Sequence, residues 1–250
     1  MMSHAYLRFY SELQDFLTVK KPQEPLRVEL AGHETVKHII EALGVPHTEV
    51  DLVLVNGSSV DFDYIVHEDE HISVYPMFET LDIQPISRVR QKPLRIPQFV
   101  IDTHLGKLAG YLRLLGFDTL YRNDFGDEEL AAISSGEERI LLTRDRGLLK
   151  RKVITRGYLV RADNPKEQAR EVMRRFDLSQ LAAPYSRCSR CNGILSPVKK
   201  EDIEEDLEPL TKKHYLRFKQ CPDCRQIYWK GSHFIRLDDL IQSLLNNPPR

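Results

Sequence analysis

Four cysteines constrain this chain more than any other feature, because they fall in two close pairs: Cys188-Ser-Arg-Cys191 and Cys221-Pro-Asp-Cys224. Twenty-nine residues separate the pairs, and the chain has no other cysteine. Two pairs of soft thiolates at this spacing can build a tetrahedral cage for Zn²⁺. Disulfides would need an oxidising compartment, and the N-terminal MMSHAYLRFYSELQDF carries no basic-then-apolar signal. A thioredoxin-like motif belongs between a strand and a helix, which fits neither pair. The spacing therefore favours one structural zinc ribbon, with room for a hairpin between its knuckles. Four thiolates fill the coordination sphere, so chemistry on a substrate has to lie elsewhere.

A length of 250 residues favours two or three domains. No apolar run is long enough to span a bilayer, so the expectation is a cytoplasmic protein without a membrane partner. The net charge of -1 conceals an asymmetry: residues 1–85 hold 5 Lys+Arg against 15 Asp+Glu, and the remainder holds 31 against 22. A basic part joined to an acidic part points to a polyanion-binding module with an acidic appendage.

Three pieces follow along the chain. Residues 1–81 read as strand, strand, helix, strand, strand, the order of a ubiquitin-like β-grasp domain. The strands start at AYLRF, at residues 24–30, at Asp51 and at His71, and the helix runs from Thr35 to Leu43 with Gly44 ending it. Sulfur carriers share that fold, but here the last strand runs into Pro76-Met77-Phe78 with no Gly-Gly tail, so docking or regulation through a protein partner is the better expectation. Residues 82–97 are rich in proline and basic side chains and read as a linker. Residues 98–183 alternate apolar strands (99–101, 119–121, 139–143, 158–160) with helices (103–115, 127–134, 165–176), which predicts an α/β domain with a mainly parallel sheet flanked by helices. Residues 184–250 hold the ribbon and a C-terminal tail.

In open α/β sheets ligands bind beyond the carboxyl ends of the strands. Asp102, Asp145 and Asp163 each follow a predicted strand, and Asp127 opens the helix after the second one. Clustered carboxylates need a cation, and hard oxygen donors suit Mg²⁺ or Mn²⁺. Helix N-capping is the competing role for Asp102, Asp127 and Asp163. Asp118 and Asp124 read as loop residues of lower rank. Arg144, Arg146, Lys150 and Arg151 crowd the segment after the 139–143 strand, and Arg113 lies on the helix after Asp102; these side chains suit phosphates, or alternatively form a solvated face.

The stretches FVIDTHLGKLA (99–109), LRLLGFD (112–118) and LLTRDR (141–146), followed by RCSRCN (187–192) and by Cys221 to Cys224 with YWKGSH (228–233), resemble the Mut-seven C-terminal RNase family of PIN-like nucleases. Many bacterial members carry a ubiquitin-like domain at the N-terminus, so the likeness covers nearly the whole chain. It implies a metal-dependent ribonuclease with acidic residues at Asp102, Asp127 and Asp145, and with Arg113 and Arg144 in support; the strand-end reading adds Asp163 as a fourth catalytic acid. Members often have Arg-Trp where this chain has Gly110-Tyr111, which removes one positive charge from the first nuclease helix. The ribbon, with Arg187, Arg190, Arg217, Lys219, Arg225 and Lys230, would hold RNA, and Tyr228 and Trp229 would either stack on bases or pack on the knuckle. The rival reading is a non-catalytic RNA- or ribosome-binding adaptor, in which the acids only cap helices. A further expectation from the charge split is that the acidic N-terminal domain covers the basic face.

Overall fold

A computed structural model describes residues 3–18, 24–76, 86–89 and 97–246. Most of the expected 82–97 linker lies outside the described residues. The chain divides into two compact units, Met1–Arg95 with Ala131–Leu159, and Ile96–Leu130 with Val160–Arg250.

The first unit opens with β1 (Ser3–Phe9), β2 (Leu26–Leu30), α1 (Val36–Ala42), β3 (Leu52–Val55), β4 (Ser58–Ser59) and β5 (His71–Tyr75). The sheet order is β2-β1-β5-β3-β4, with β1 parallel to β5 and the other pairs antiparallel. Strict alternation puts Ala5, Leu7, Phe9, Ile72 and Val74 in the core together with Val36, Ile39 and Ile40 of α1. Thr35 caps α1 by accepting from the His38 N–H, and Gly44 ends it at φ +108, where a Cβ would meet the Phe16 carbonyl oxygen at 2.7 Å. Asn56 and Gly57 form the tight β3–β4 turn with φ +49 and +84.

The central segment is mixed α/β. It comprises β6 (Gln98–Ile101), α2 (Gly106–Leu114), β7 (Asp118–Leu120), α3 (Asp127–Gly136), β8 (Ile140–Thr143), α4 (Arg146–Leu149), β9 (Gly157–Leu159) and α5 (Pro165–Arg175). β6 pairs with β7 in parallel, and β8 with β9 in parallel. The four residues of β8 are all buried, as the continuous apolar run requires of a strand covered on both faces. The expected 103–115 helix begins as a 3-10 turn, Thr103–Leu105, before α2. Short α4 has only four residues and leaves no periodicity in the sequence.

The remainder of the second unit holds β10 (Ser196–Val198), α6 (Pro209–His214), β11 (Phe218–Gln220), β12 (Ile227–Trp229) and α7 (Ser232–Leu245). The three strands form an antiparallel sheet in the order β10-β11-β12, and Phe218 packs with Ile203 and Leu207 beneath it. The residues expected as a tail form α7, which buries Ile241 and Leu244 and is tied to the start of the ribbon by the Tyr185 hydroxyl donating to Asp238 at 2.9 Å. Among the described residues no helix is long and apolar enough to cross a membrane.

Candidate metal centre and acidic strand ends

The two cysteine pairs adopt one local structure twice. The Asn192 N–H donates to the Cys188 carbonyl and the Arg225 N–H to the Cys221 carbonyl, both at 2.9 Å; the Cys188 N–H reaches Gly193 O at 2.7 Å and the Cys221 N–H reaches Gln226 O at 3.0 Å. Each loop turns through a non-glycine residue in the left-handed region, Asn192 at φ +76 and Arg225 at φ +61. The four sulfurs lie within 4.8 Å of one another, with Cys188–Cys224 at 3.5 Å and Cys191–Cys221 at 3.3 Å. A tetrahedron with Zn–S bonds of about 2.3 Å has edges of about 3.8 Å, so the donor set fits. Among the described residues, no other group of three or more His, Cys, Asp or Glu side chains comes together in this way.

The electrostatics are those of a site built for a cation. Burial pushes the Cys188 thiol up, but the Tyr228 hydroxyl and the N–H groups of Cys191 and Arg190 outweigh it and bring it down to about 7. Burial holds Cys191 up at about 12, so the quartet on its own does not ionise together. A divalent ion reverses that balance by binding the thiolates. Tyr228 sits 3.1 Å from the Cys188 sulfur and 3.2 Å from Ser189 Oγ, so it packs on the knuckle; Trp229 is partly exposed. A Cβ on Gly193 would stand 2.1 Å from Asp223 Oδ2 and 2.9 Å from the Cys221 sulfur, which reserves that position for glycine.

The first knuckle is bolted to β7. Asn192 donates to Asp118 Oδ1 at 2.9 Å and accepts from the Thr119 N–H at 3.0 Å. Arg187 pairs with Asp118 Oδ2 at 3.1 Å. Arg113, expected to face substrate, is 5% exposed: its Nε donates to the Thr119 carbonyl at 2.9 Å and its Nη1 to the Arg190 carbonyl at 2.8 Å. Burial lowers its pKa, and the neighbouring Cys191 and Cys188 sulfurs oppose that shift. Asp118 is thus a strand residue with structural partners, and Asp124 is an exposed turn residue paired with Arg122 at 2.9 Å. Lys219 donates to the Tyr185 carbonyl at 2.8 Å and Lys230 lies over Phe234, whereas Arg190, Arg217 and Arg225 are exposed.

The four acids stand at the strand and helix ends where the sequence put them, with different surroundings. Asp102 follows β6 and is 7% exposed; it occupies a helix-capping position but makes no side-chain capping bond, and its Oδ1 accepts from Thr103 Oγ1 at 3.1 Å. Tyr121 closes over this turn, donating to the Thr103 carbonyl at 3.2 Å and leaving no space for a Cβ at Gly106. Asp127 is the first residue of α3, one of three acids in that turn, and exposed. Asp145 follows β8 and does cap, accepting from the Gly147 N–H at 2.6 Å. Asp163 is exposed, and the neighbouring Asn164, not Asp163, caps α5 by accepting from the Lys166 N–H at 2.9 Å. Asp102 and Asp127 belong to the second unit, and Asp145 to the first.

Two of the basic residues beyond β8 engage the N-terminal domain within the first unit. The Arg146 guanidinium lies 5.1 Å from the Phe16 ring, and Lys150 Nζ donates to the Glu41 carbonyl at 2.8 Å. Two further ties join the same segments: His47 Nε2 is 2.7 Å from the Ile154 carbonyl, and buried Glu49 accepts from the Leu159 N–H at 2.6 Å. Arg144 is exposed and Arg151 half-buried. Sequence spacing carried no sign of these ties, which link residues more than a hundred positions apart.

Comparison with known proteins gives two matches in the chain. Residues 97–241 match the family model described as Mut7-C RNAse domain, and residues 2–82 match Mut7-C ubiquitin. No curated protein and no solved structure matches. The first match spans both cysteine knuckles and all four acids, and the second spans the five-stranded sheet. The chain therefore belongs to the Mut7-C RNAse domain family and carries a Mut7-C ubiquitin domain ahead of it.

Proposed function

We propose that the chain is a metal-dependent ribonuclease that hydrolyses RNA phosphodiester bonds, with a structural zinc on Cys188, Cys191, Cys221 and Cys224. The observation that carries the reading is Asp102: a carboxylate 7% exposed, at the carboxyl end of a parallel strand, in a capping position that it does not use for capping. Membership of the Mut7-C RNAse domain family supports the reaction class. Asp102, Asp127 and Asp145, with Asp163 as an outer member, offer hard oxygen donors of the kind Mg²⁺ and Mn²⁺ take. Such an ion, when bound, offsets the carboxylate charge and polarises an attacking water.

The protein's own groups do the rest. Arg144 and Arg151, with Arg146 and Lys150 where RNA competes for them, hold phosphates by charge. Arg113 acts from behind, fixing β7 and the knuckle rather than touching RNA. Water oxygen bonds to phosphorus, the bond to the 3′ oxygen breaks, and that oxygen leaves protonated, giving a 5′-phosphate and a 3′-hydroxyl. The test is cleavage of a labelled single-stranded RNA with and without Mn²⁺. Asp102→Asn and Asp145→Asn should each lose at least about a hundredfold in rate, in line with removal of a key electrostatic group, while keeping the wild-type melting temperature to within a few degrees. Cleavage at the wild-type rate in both variants would refute the site; RNA binding without cleavage by any form would favour the adaptor.

A further inference from the structure

We propose that the outer face of the β-grasp sheet is a second RNA site, a stacking platform for single-stranded RNA; it rests on the RNA reading above and adds a surface that reading does not use. The β1–β5 alternation that buries Ala5, Leu7, Phe9, Ile72 and Val74 sends Tyr6, Arg8, His71, Ser73 and Tyr75 to the opposite face. Tyr10 joins them just beyond β1. Two aromatic pairs form across the strands: Tyr6 with His71, centroids 5.0 Å apart and planes 15° apart, and Tyr10 with Tyr75, at 4.4 Å and 7°. Arg8 stands between them with its guanidinium 5.3 Å from the Tyr10 ring. On β2, Arg27 is opposite Tyr6 and donates to His4 at 2.9 Å.

Charge singles this face out. Residues 1–85 hold fifteen acids and only five Lys or Arg. Two of those five, Arg8 and Arg27, are on this face, and none of the outward positions of β1 and β5 is acidic; Glu29 on β2 is the nearest acid in the strands. An acidic domain that sets exposed Arg8 and Arg27 beside three half-buried tyrosine rings and an exposed histidine ring on one face fits a ligand that is both anionic and aromatic. Tyr6 and Tyr10 are four residues apart, about 13 Å along a strand, so two bases can stack at the two pairs while Arg8 and Ser73 meet the backbone between them. The aliphatic side chains of β1 and β5 point into the core, and of the outward residues of β3 Leu52 is buried and Leu54 half-buried, which leaves little for an apolar protein partner to bury. Base–aromatic stacking with arginine alongside is the chemistry by which sheet surfaces hold single strands.

The experiment uses the full-length chain in an Asp102→Asn background, with a fluorescent single-stranded oligouridylate. Tyr6→Ser with Tyr10→Ser should weaken binding by about tenfold or more. Tyr6→Phe with Tyr10→Phe should restore it, which separates stacking from loss of fold. Arg8→Glu should weaken binding and flatten its dependence on salt. Ultraviolet cross-linking should place the RNA on the Ser3–Phe9 peptide or its immediate neighbours. Unchanged affinity in the serine and glutamate variants would overturn the proposal and leave the face to a protein, with the nuclease reading intact. A parent protein that binds no RNA would instead remove both.

Discussion

Replacing Arg113 by alanine tests whether this residue holds the fold or the substrate. The side chain sits between α2, β7 and the first knuckle, 5% exposed, with donors on the carbonyls of Thr119 and Arg190 and a longer one, 3.4 Å, on Ser189. Removing it leaves the buried Thr119 carbonyl and the part-buried Arg190 carbonyl without this partner. Each such loss costs about 1–3 kcal/mol, and partial relaxation keeps the sum below simple addition, so about 3 kcal/mol is expected. For a unit of this size that corresponds to roughly 10 °C in melting temperature. Lysine should recover only part, because one ammonium cannot reproduce a planar fork reaching two carbonyls. Differential scanning fluorimetry on the metal-loaded protein reads the shift, and RNA affinity measured well below the transition reads the alternative. A melting temperature within about 2 °C of wild type, together with a clear loss of RNA affinity, would refute the structural assignment.

Metal analysis should find one zinc per chain, and Cys221→Ser should reduce it to a small fraction and lower the melting temperature by more than Arg113→Ala does, because a structural zinc contributes directly to folding. Gly193→Ala should also lose zinc, since its Cβ meets Asp223 and the Cys221 sulfur, and adding Asp223→Ala should recover part of the metal; full zinc in the single variant would contradict the packing. Tyr185→Phe should cost about 1 kcal/mol through the lost bond to Asp238, read by chemical denaturation. Glu49→Gln should destabilise the first unit by about 1 kcal/mol, the difference between a charged and a neutral acceptor on a buried N–H. No loss there would mean that the N-terminal domain does not brace β9.

Periodicity made the elements legible where packing and pattern agree. The alternation of β1, the apolar run of β8 and the i, i+3, i+4 spacing of α1 and α2 each bury the side chains the pattern marked. The paired cysteines announced their own geometry, because a CxxC loop brings two sulfurs together locally. The helix α7 was readable too, from Phe234, Leu237, Ile241 and Leu244, but its position after the ribbon made it look like a tail. The intramolecular partners of Arg113, Arg146 and Lys150 were not readable. A basic side chain on a helix gives the same signal whether its partner is a phosphate, a ring or a carbonyl, and here the partners are remote in sequence: Arg190 for Arg113, Phe16 for Arg146 and Glu41 for Lys150. Asp102 and Asp145 illustrate the same limit from the other side. Both follow a strand and precede a helical turn, yet one caps that turn and the other does not.

The ties around Asn192 make metal loading and the nuclease fold one problem rather than two. Its left-handed backbone forms the knuckle, while its carboxamide fills the N–H of Thr119 and reaches Asp118. A quartet of thiolates around Zn²⁺ would carry a net charge of about −2, and Arg113 stands beside that position as a buried cation of opposite sign. Arg113 in turn pins the Thr119 carbonyl on β7. From β7 the chain runs through one loop into α3, whose first residue is Asp127. Loss of zinc should consequently slacken β7 and Asp127 before it disturbs Asp102, which is set by β6 and the Tyr121 contact. Hydrogen exchange on metal-free protein should show the Thr119 amide opening earlier than the amides of β6; simultaneous opening of the two strands would mean that the ribbon's metal has no preferential hold on this part of the site.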